Sequence, residues 1–119
     1  MIIYASRTGN VEYIVNKLNL PSINIRDVKE IKQSYIIFTY TDGLGLVPHI
    51  VEDFLNQHHM NCVGVIASGN TNFGINNFCG SADKISKQYS IPVIRKLELR
   101  GYPRDYDHII QEYYKLIKG

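Results

Sequence analysis

Three polar segments hold the residue types that could do chemistry in this chain. They are Ser6-Arg7-Thr8-Gly9-Asn10, Thr39-Tyr40-Thr41-Asp42-Gly43-Leu44-Gly45 and Ser68-Gly69-Asn70-Thr71-Asn72-Phe73-Gly74. In the first, hydroxyl and amide side chains surround a glycine just before a helical pattern. A helix start exposes unpaired N–H groups and about half a positive charge, so it holds a phosphate without a lysine. A plain Asn or Thr helix cap is the competing account. In the second, Gly43 and Gly45 flank Leu44 and let the backbone turn a carbonyl or N–H toward a flat ligand. A flexible turn competes there. The third segment, continued to Phe78, carries no charge and has asparagines at 70, 72, 76 and 77. Amides in that number suit a hydrogen-bonding wall around an aromatic heterocycle, with Phe73 or Tyr40 available to stack. Each aromatic has the alternative of serving in the core. Arg7 and Asp42 are the charges of the three segments. Such a set suits a bound cofactor better than an acid, a base and a nucleophile.

The elements that must position these segments follow from hydrophobic patterning. Met1 to Ala5 reads as a strand, and Val11, Ile14, Val15 and Leu18 recur at helical spacing. Pro21 to Ile25 is a short strand. Ser34 to Tyr40 is nearly continuously apolar, as a central strand covered on both faces should be. Pro48 suits a first helical turn, and Val47, Ile50, Val51, Phe54 and Leu55 continue it. Cys62 to Ala67 is a fourth strand. A helix from about Asn76 to Tyr89 is expected to bury Phe78, Ala82 and Ile85. Ile91 to Leu99 begins apolar and becomes alternating, as an edge strand does. Asp105 is placed to cap a last helix with the stripe Ile109, Ile110, Tyr113, Leu116 and Ile117. The stretch from Arg26 to Gln33 is too short for a full helix and predicts a turn or one helical turn. Five strands alternating with four helices predict a doubly wound parallel sheet with right-handed crossovers. In that architecture the three polar segments lie together at the carboxyl ends of strands, where ligands bind.

Bulk properties narrow the function classes. A chain of 119 residues, 45% apolar and 20% charged, predicts one domain over residues 1–119 with a core of its own. A net charge of +2 without a basic run argues against nucleic acid. No stretch approaches the ~18 apolar residues that would span a bilayer, and the amino terminus lacks a signal-peptide pattern. A cytoplasmic location is the resulting expectation. Cys62 and Cys79 are too far apart for a C-x-x-C motif and read as small core residues. His49, His58, His59 and His108 have no metal-ligand spacing and read as surface residues. Neither G-x-G-x-x-G nor a Gly-Lys-Ser/Thr phosphate loop occurs. A receiver domain would need acidic residues in the first segment, and a low-molecular-weight phosphatase a cysteine six positions before an arginine. Neither pattern is present.

The first segment resembles the S/T-x-T-G-N phosphate loop of flavodoxins. Thr39 to Pro48, Gly64 to Gly74, Ala82-Asp83-Lys84-Ile85-Ser86, and Leu97-Glu98-Leu99 with Gly101 are similar to one subfamily, NrdI. The likeness spans almost the whole chain, and A-S-G-N-x-N-F/W-G is its most specific part. It implies a flavodoxin-like three-layer sandwich with strand order 2-1-3-4-5 and helices on both faces. It further implies non-covalently bound FMN that passes electrons to O2. The superoxide so formed would serve assembly of the dimanganese–tyrosyl radical cofactor in the class Ib ribonucleotide reductase small subunit (NrdF). A flavin reductant, unidentified, is implied as well. A general flavodoxin-type electron carrier is the alternative.

By that resemblance Ser6, Thr8, Gly9 and Asn10 hold the phosphate, with Arg7 at a variable position beside it. Thr41 to Gly45 and Gly69 to Gly74 hold the ring, and the peptide near Gly43 faces flavin N5. The candidate cofactor-binding set also takes in Thr39, Tyr40, Asp42, Leu44, Ser68, Asn70, Asn72 and Phe73. No protein side chain is expected to be catalytic, and no metal is expected. Leu46 stands where a polar residue is usual, and Phe73 where some relatives have tryptophan. Electron-carrying flavodoxins ring their flavin with acids, which disfavour the fully reduced anion. Here the ring segments contain only Asp42, so full two-electron reduction should be easier.

Overall fold

The computed structural model describes residues 1–118. Its strands are β1 (Ile2–Tyr4), β2 (Ser22–Asn24), β3 (Tyr35–Thr39), β4 (Cys62–Gly69) and β5 (Val93–Glu98). They form one parallel sheet in the order β2-β1-β3-β4-β5, which is the expected topology. The helices are α1 (Asn10–Leu18), α2 (His49–His58), α3 (Gly80–Tyr89) and α4 (Pro103–Tyr113), the last followed by a π-helical turn, Tyr114–Lys118.

Period-two alternation of the central strands divides the core in two. Tyr35 and Ile37 of β3 face one side, with Ile3, Val65 and Ala67, against Val51 and Leu55 of α2 and Ala82 and Ile85 of α3. Ile36 and Phe38 face the other side, with Ile2 and Ile66, against Val11, Ile14 and Leu18 of α1 and Ile109 and Tyr113 of α4. Two helices therefore cover each face. Every residue of β3 is buried, which explains its continuous apolar sequence. β5 is an edge strand, but its burial does not alternate as expected. Ile94 and Leu97, three residues apart, are the buried ones, because the pairing with β4 shifts register between Val93 and Arg95. The short connection after β2 is a 3-10 turn, Ile25–Asp27, whose Arg26 N–H donates to the Asn24 side chain at 3.0 Å.

Several elements differ from the sequence expectation. α3 begins at Gly80 rather than Asn76, and two 3-10 turns, Thr71–Phe73 and Ile75–Asn77, precede it. Gly74 at φ 99° and Cys79 at φ 50° break helical continuity, leaving Phe78 extended and only half-buried. Cys79 is consequently the residue before the helix, not a member of its apolar side. β4 continues past Ala67 through Gly69, because Ser68 and Gly69 pair with Leu97 and Glu98. α4 starts at Pro103, so Asp105 is its third residue and not its cap. The Asp105 carboxylate reaches back to accept from Tyr102 N–H at 2.8 Å and also takes Arg95 Nε at 2.8 Å.

Of the histidines only His49 is exposed. The rings of His58 and His59 lie against Phe54 and Tyr89, with centroids 4.8 and 4.7 Å apart, and His108 Nε2 is 3.2 Å from Ile94 O. These three are partly exposed, so the reading as surface residues needs only the refinement that each rests against a neighbour. Among the described residues no group of three His, Cys, Asp or Glu is placed to hold a metal ion. No helix there is long and apolar enough to cross a membrane.

Both cysteines are free and buried. Cys62 Sγ donates to Gly64 O at 3.4 Å and Cys79 Sγ to Ala67 O at 3.4 Å. Burial pushes the Cys62 thiol up to about 11 and the Cys79 thiol up to about 12, from 9.0. A folded-state pKa above the unfolded value gives stability that is complete at low pH and is lost as pH rises through that window. Unfolding free energy from urea titrations should therefore hold steady to about pH 8 and fall from about pH 9 upward. Native protein should also resist a thiol reagent at about pH 8 and react once denatured. Rapid labelling of the native chain would contradict the burial of these thiols.

Candidate functional site

A cleft of about 270 Å³ opens at the carboxyl ends of β1, β3 and β4. At its first wall, Ala5 N–H donates to Phe38 O at 3.0 Å, the last rung before the chain leaves the sheet. Gly9, at φ 94°, is the N-cap of α1. The helix is thus capped by a residue with no side chain, and the account of Asn10 or Thr8 as a plain cap fails. Ser6 Oγ takes up the Glu12 N–H at 3.2 Å. Ser6, Arg7, Thr8, Asn10 and Val11, around the start of α1, line the cleft.

The second wall is a strapped turn, not a flexible one. Asp42 and Leu46 exchange two backbone hydrogen bonds, of 2.9 and 2.8 Å, around Gly43 at φ 43° and Gly45 at φ 87°. Those dihedrals are strained for any other residue. Lys84 Nζ reaches from α3 to Gly45 O at 2.6 Å. Thr41 Oγ1 lies 3.1 Å from Ser68 O and 2.7 Å from Ser81 Oγ, joining this turn to β4 and α3. Gly45 and Gly80 meet so closely that a Cβ on Gly80 would lie 2.9 Å from both Gly45 Cα and Gly45 O. Tyr40, Thr41 and Gly43 line the cleft.

The third wall starts at the sheet and ends in the 3-10 turns. Ser68 Oγ donates to Leu99 O, and Leu99 N–H donates to Gly69 O at 2.8 Å. Asn70 Oδ1 accepts from Asn72 N–H at 2.9 Å, an Asx turn. Glu98 fastens the next residue by accepting from both Thr71 N–H and Thr71 Oγ1. Phe73 is 53% exposed at the rim, and its carbonyl accepts from Asn77 Nδ2 at 2.9 Å. Ser68, Gly69, Asn70, Phe73, Asn77 and Leu99 line the cleft.

The structure thus gathers residues of all three segments around one cavity. Thr39, Asp42, Leu44, Gly45, Asn72, Gly74 and Gly9 stand outside its lining. Thr39 is buried in β3, Leu44 is exposed at the tip of its turn, and the glycines shape backbone behind the wall. Val11, Asn77 and Leu99 line the cavity without having been in the candidate set. Val11 reads as core, and it is indeed 1% exposed. Asn77 belongs to the asparagine-rich run that was the available signal. Leu99 had no such signal: its backbone, at φ 53°, folds it over Gly69.

Electrostatically the cleft is positive to neutral. Arg7 is the charged residue of its lining, and it forms an ion pair with Asp42 while its guanidinium sits 4.8 Å over the Tyr40 ring. The one acid of these segments is therefore paired and stands outside the lining. The groups whose pKa burial raises, Tyr4, Tyr35, Cys62 and Cys79 among them, lie outside the lining. Such an arrangement suits binding rather than catalysis: the α1 start is suited to an anion, and Tyr40, Gly43, Asn70 and Phe73 are suited to the edges and faces of a hydrogen-bonding ring.

Comparison with known proteins gives a concordant result. The family model described as NrdI Flavodoxin like matches residues 2–111. The chain is 40% identical over 119 residues to Protein NrdI of Bacillus licheniformis, covering 98% of this chain and 88% of that protein. It is also 40% identical over 106 residues to Protein NrdI of Macrococcus caseolyticus, covering 88% and 81% respectively.

The contact between Gly45 and Gly80 yields a test of how the second wall is held. Gly to Ala in a helix ordinarily stabilises by up to about 1 kcal/mol. Here the new methyl would meet backbone, which gives way less readily than a side chain. Gly80→Ala should lower the unfolding free energy in urea by about 1–3 kcal/mol. A stabilised variant would show that the contact is not tight.

Proposed function

Because the chain belongs to the NrdI flavodoxin-like family, a membership that implies a flavin cofactor, we propose that it binds FMN and supplies oxidant to a ribonucleotide reductase. The observation that carries this reading is one cleft that joins the glycine-capped start of α1 to polar and aromatic residues of the other two segments, which add no charge to its lining. FMN has the matching parts, a phosphate dianion and a planar heterocycle with a hydrogen-bonding edge. When bound and reduced, FMN supplies single electrons to O2 and yields superoxide. The recipient is the dimanganese site of the class Ib small subunit (NrdF), where the oxidant forms the tyrosyl radical cofactor.

The chain's own residues do the rest. Ser6 and Thr8 hydroxyls, the Asn10 amide and the first N–H groups of α1 hold the phosphate. Tyr40 and Phe73 flank the ring, while the Thr41–Gly43 and Gly69–Asn70 backbone and the Asn70 amide meet its polar edge. Half-exposed Phe73 leaves the ring edge open, which O2 and a partner both require. Arg7 cancels the Asp42 charge. An uncompensated carboxylate near an anionic ring would oppose its reduction by Coulomb repulsion. The protein in this reading is an activator that works with an external flavin reductant and not a turnover enzyme.

Stepwise anaerobic reduction of the FMN-loaded protein should pass to the fully reduced flavin with little one-electron-reduced form accumulating. Admission of O2 should then generate the radical in manganese-loaded NrdF, and superoxide dismutase should suppress it. A large, persistent one-electron-reduced population would favour a general flavodoxin-type electron carrier instead. Within the same account Arg7→Met should lower the midpoint potential of the step that makes the anion by tens of millivolts, on the order of 1 kcal/mol. Adding Asp42→Asn should restore it. An unchanged potential in Arg7→Met would remove the ion pair from the explanation.

A further inference from the structure

Asn10 is oriented from outside the cleft. It is the first residue of α1 and lines the cavity, and Arg100 Nε donates to its Oδ1 at 3.2 Å. A guanidinium offers donors only. The amide must therefore give its oxygen to Arg100, which leaves the NH2 group to face an anion. Without that partner the carboxamide is free to turn its oxygen toward the cleft, where it would repel a phosphate.

Arg100 is itself held in place. Its guanidinium lies 4.3 Å over the Tyr13 ring, and its carbonyl accepts from the Tyr106 hydroxyl. On either side Leu99 N–H donates to Gly69 O and Gly101 N–H to Glu98 O, each at 2.8 Å. The residue stands outside the cavity lining, so it acts on a ligand through Asn10. We propose that Arg100 is a positioning residue that fixes the Asn10 amide as a donor and so selects phosphorylated over unphosphorylated ligands. The inference rests on the reading of the cleft as an FMN site and assigns the source of its preference for the phosphate.

Titration of the flavin-free chain with FMN and with riboflavin, followed by flavin fluorescence, separates the roles. Arg100→Met should weaken FMN about tenfold, the loss of roughly one hydrogen-bond donor, and leave riboflavin binding unchanged. In an Asn10→Ala background the same substitution should cost nothing further. Equal losses for both flavins would mean general damage to the cleft, and no loss for FMN would mean no role; either overturns the proposal. A full loss persisting without Asn10 would overturn it too, since Arg100 would then act on the phosphate directly. Inorganic phosphate added to the 15N-labelled, flavin-free chain gives a second readout. The Asn10 side-chain NH2 signals should shift in the parent chain and not in Arg100→Met. That shift would stand even if neither flavin bound, in which case the FMN reading alone fails. Phosphate that leaves Asn10 unmoved in the parent chain would overturn the proposal.

Discussion

A strand buried on both faces must pair its backbone along both edges, and β3 is in that position over its whole length. Any unpaired amide there would cost the full desolvation penalty of about 1–3 kcal/mol. The sheet answers with parallel neighbours, β1 and β4, and the crossovers α1, α2 and α3 close the two faces together with α4. Parallel pairing has one geometric result that matters for function. It brings the carboxyl ends of β1, β3 and β4 to the same edge, and with them the three polar segments. The site is a consequence of how the core satisfies its hydrogen bonds.

At that edge each wall is fixed by contacts from a different element. The first is a helix start capped by glycine, with Ser6 taking one amide. The second is strapped by its own two backbone bonds, by Lys84 and by the Gly45–Gly80 approach. The third is tied to β5 through Ser68, Thr71 and Glu98. A cleft held in this way loses little entropy when a rigid, flat ligand enters. Asp42, the one acid of the three segments, is paired with Arg7, which in the proposed reading offsets a charge that would oppose an electron-rich ring. In the proposed reading, binding and redox tuning rest on separate contacts at this one end of the sheet.

Much of this was legible in the chain. Continuous apolarity over Ser34 to Tyr40 marked the central strand, and glycines beside hydroxyls and amides marked the walls. Local patterning has a limited reach, however. The asparagines at 76 and 77 read as a helix start, yet Gly74 and Cys79 both take positive φ, which glycine adopts freely and which a cysteine rarely adopts. The terminal strand residues Ser68 and Gly69 read as loop, because their pairing with Leu97 and Glu98 is non-local. Arg7 meets Asp42 across 35 positions and Arg100 meets Asn10 across 90. No periodicity announces such pairs. Leu99, an apolar side chain over the cleft, was hidden for the same reason.

The molecule offers a second hollow, of about 360 Å³, between α2 and α3, lined by Leu46, Val47, Glu52, Leu55 and Ile85. It supplies the contrast that tests the central claim most directly. FMN should be titrated into the flavin-free, 15N-labelled chain while backbone amide signals are followed. The account requires one FMN per chain, with the large shifts confined to the segments around Ser6–Asn10, Tyr40–Gly43 and Ser68–Phe73. Absence of binding, or shifts centred on the hollow between α2 and α3, would contradict it.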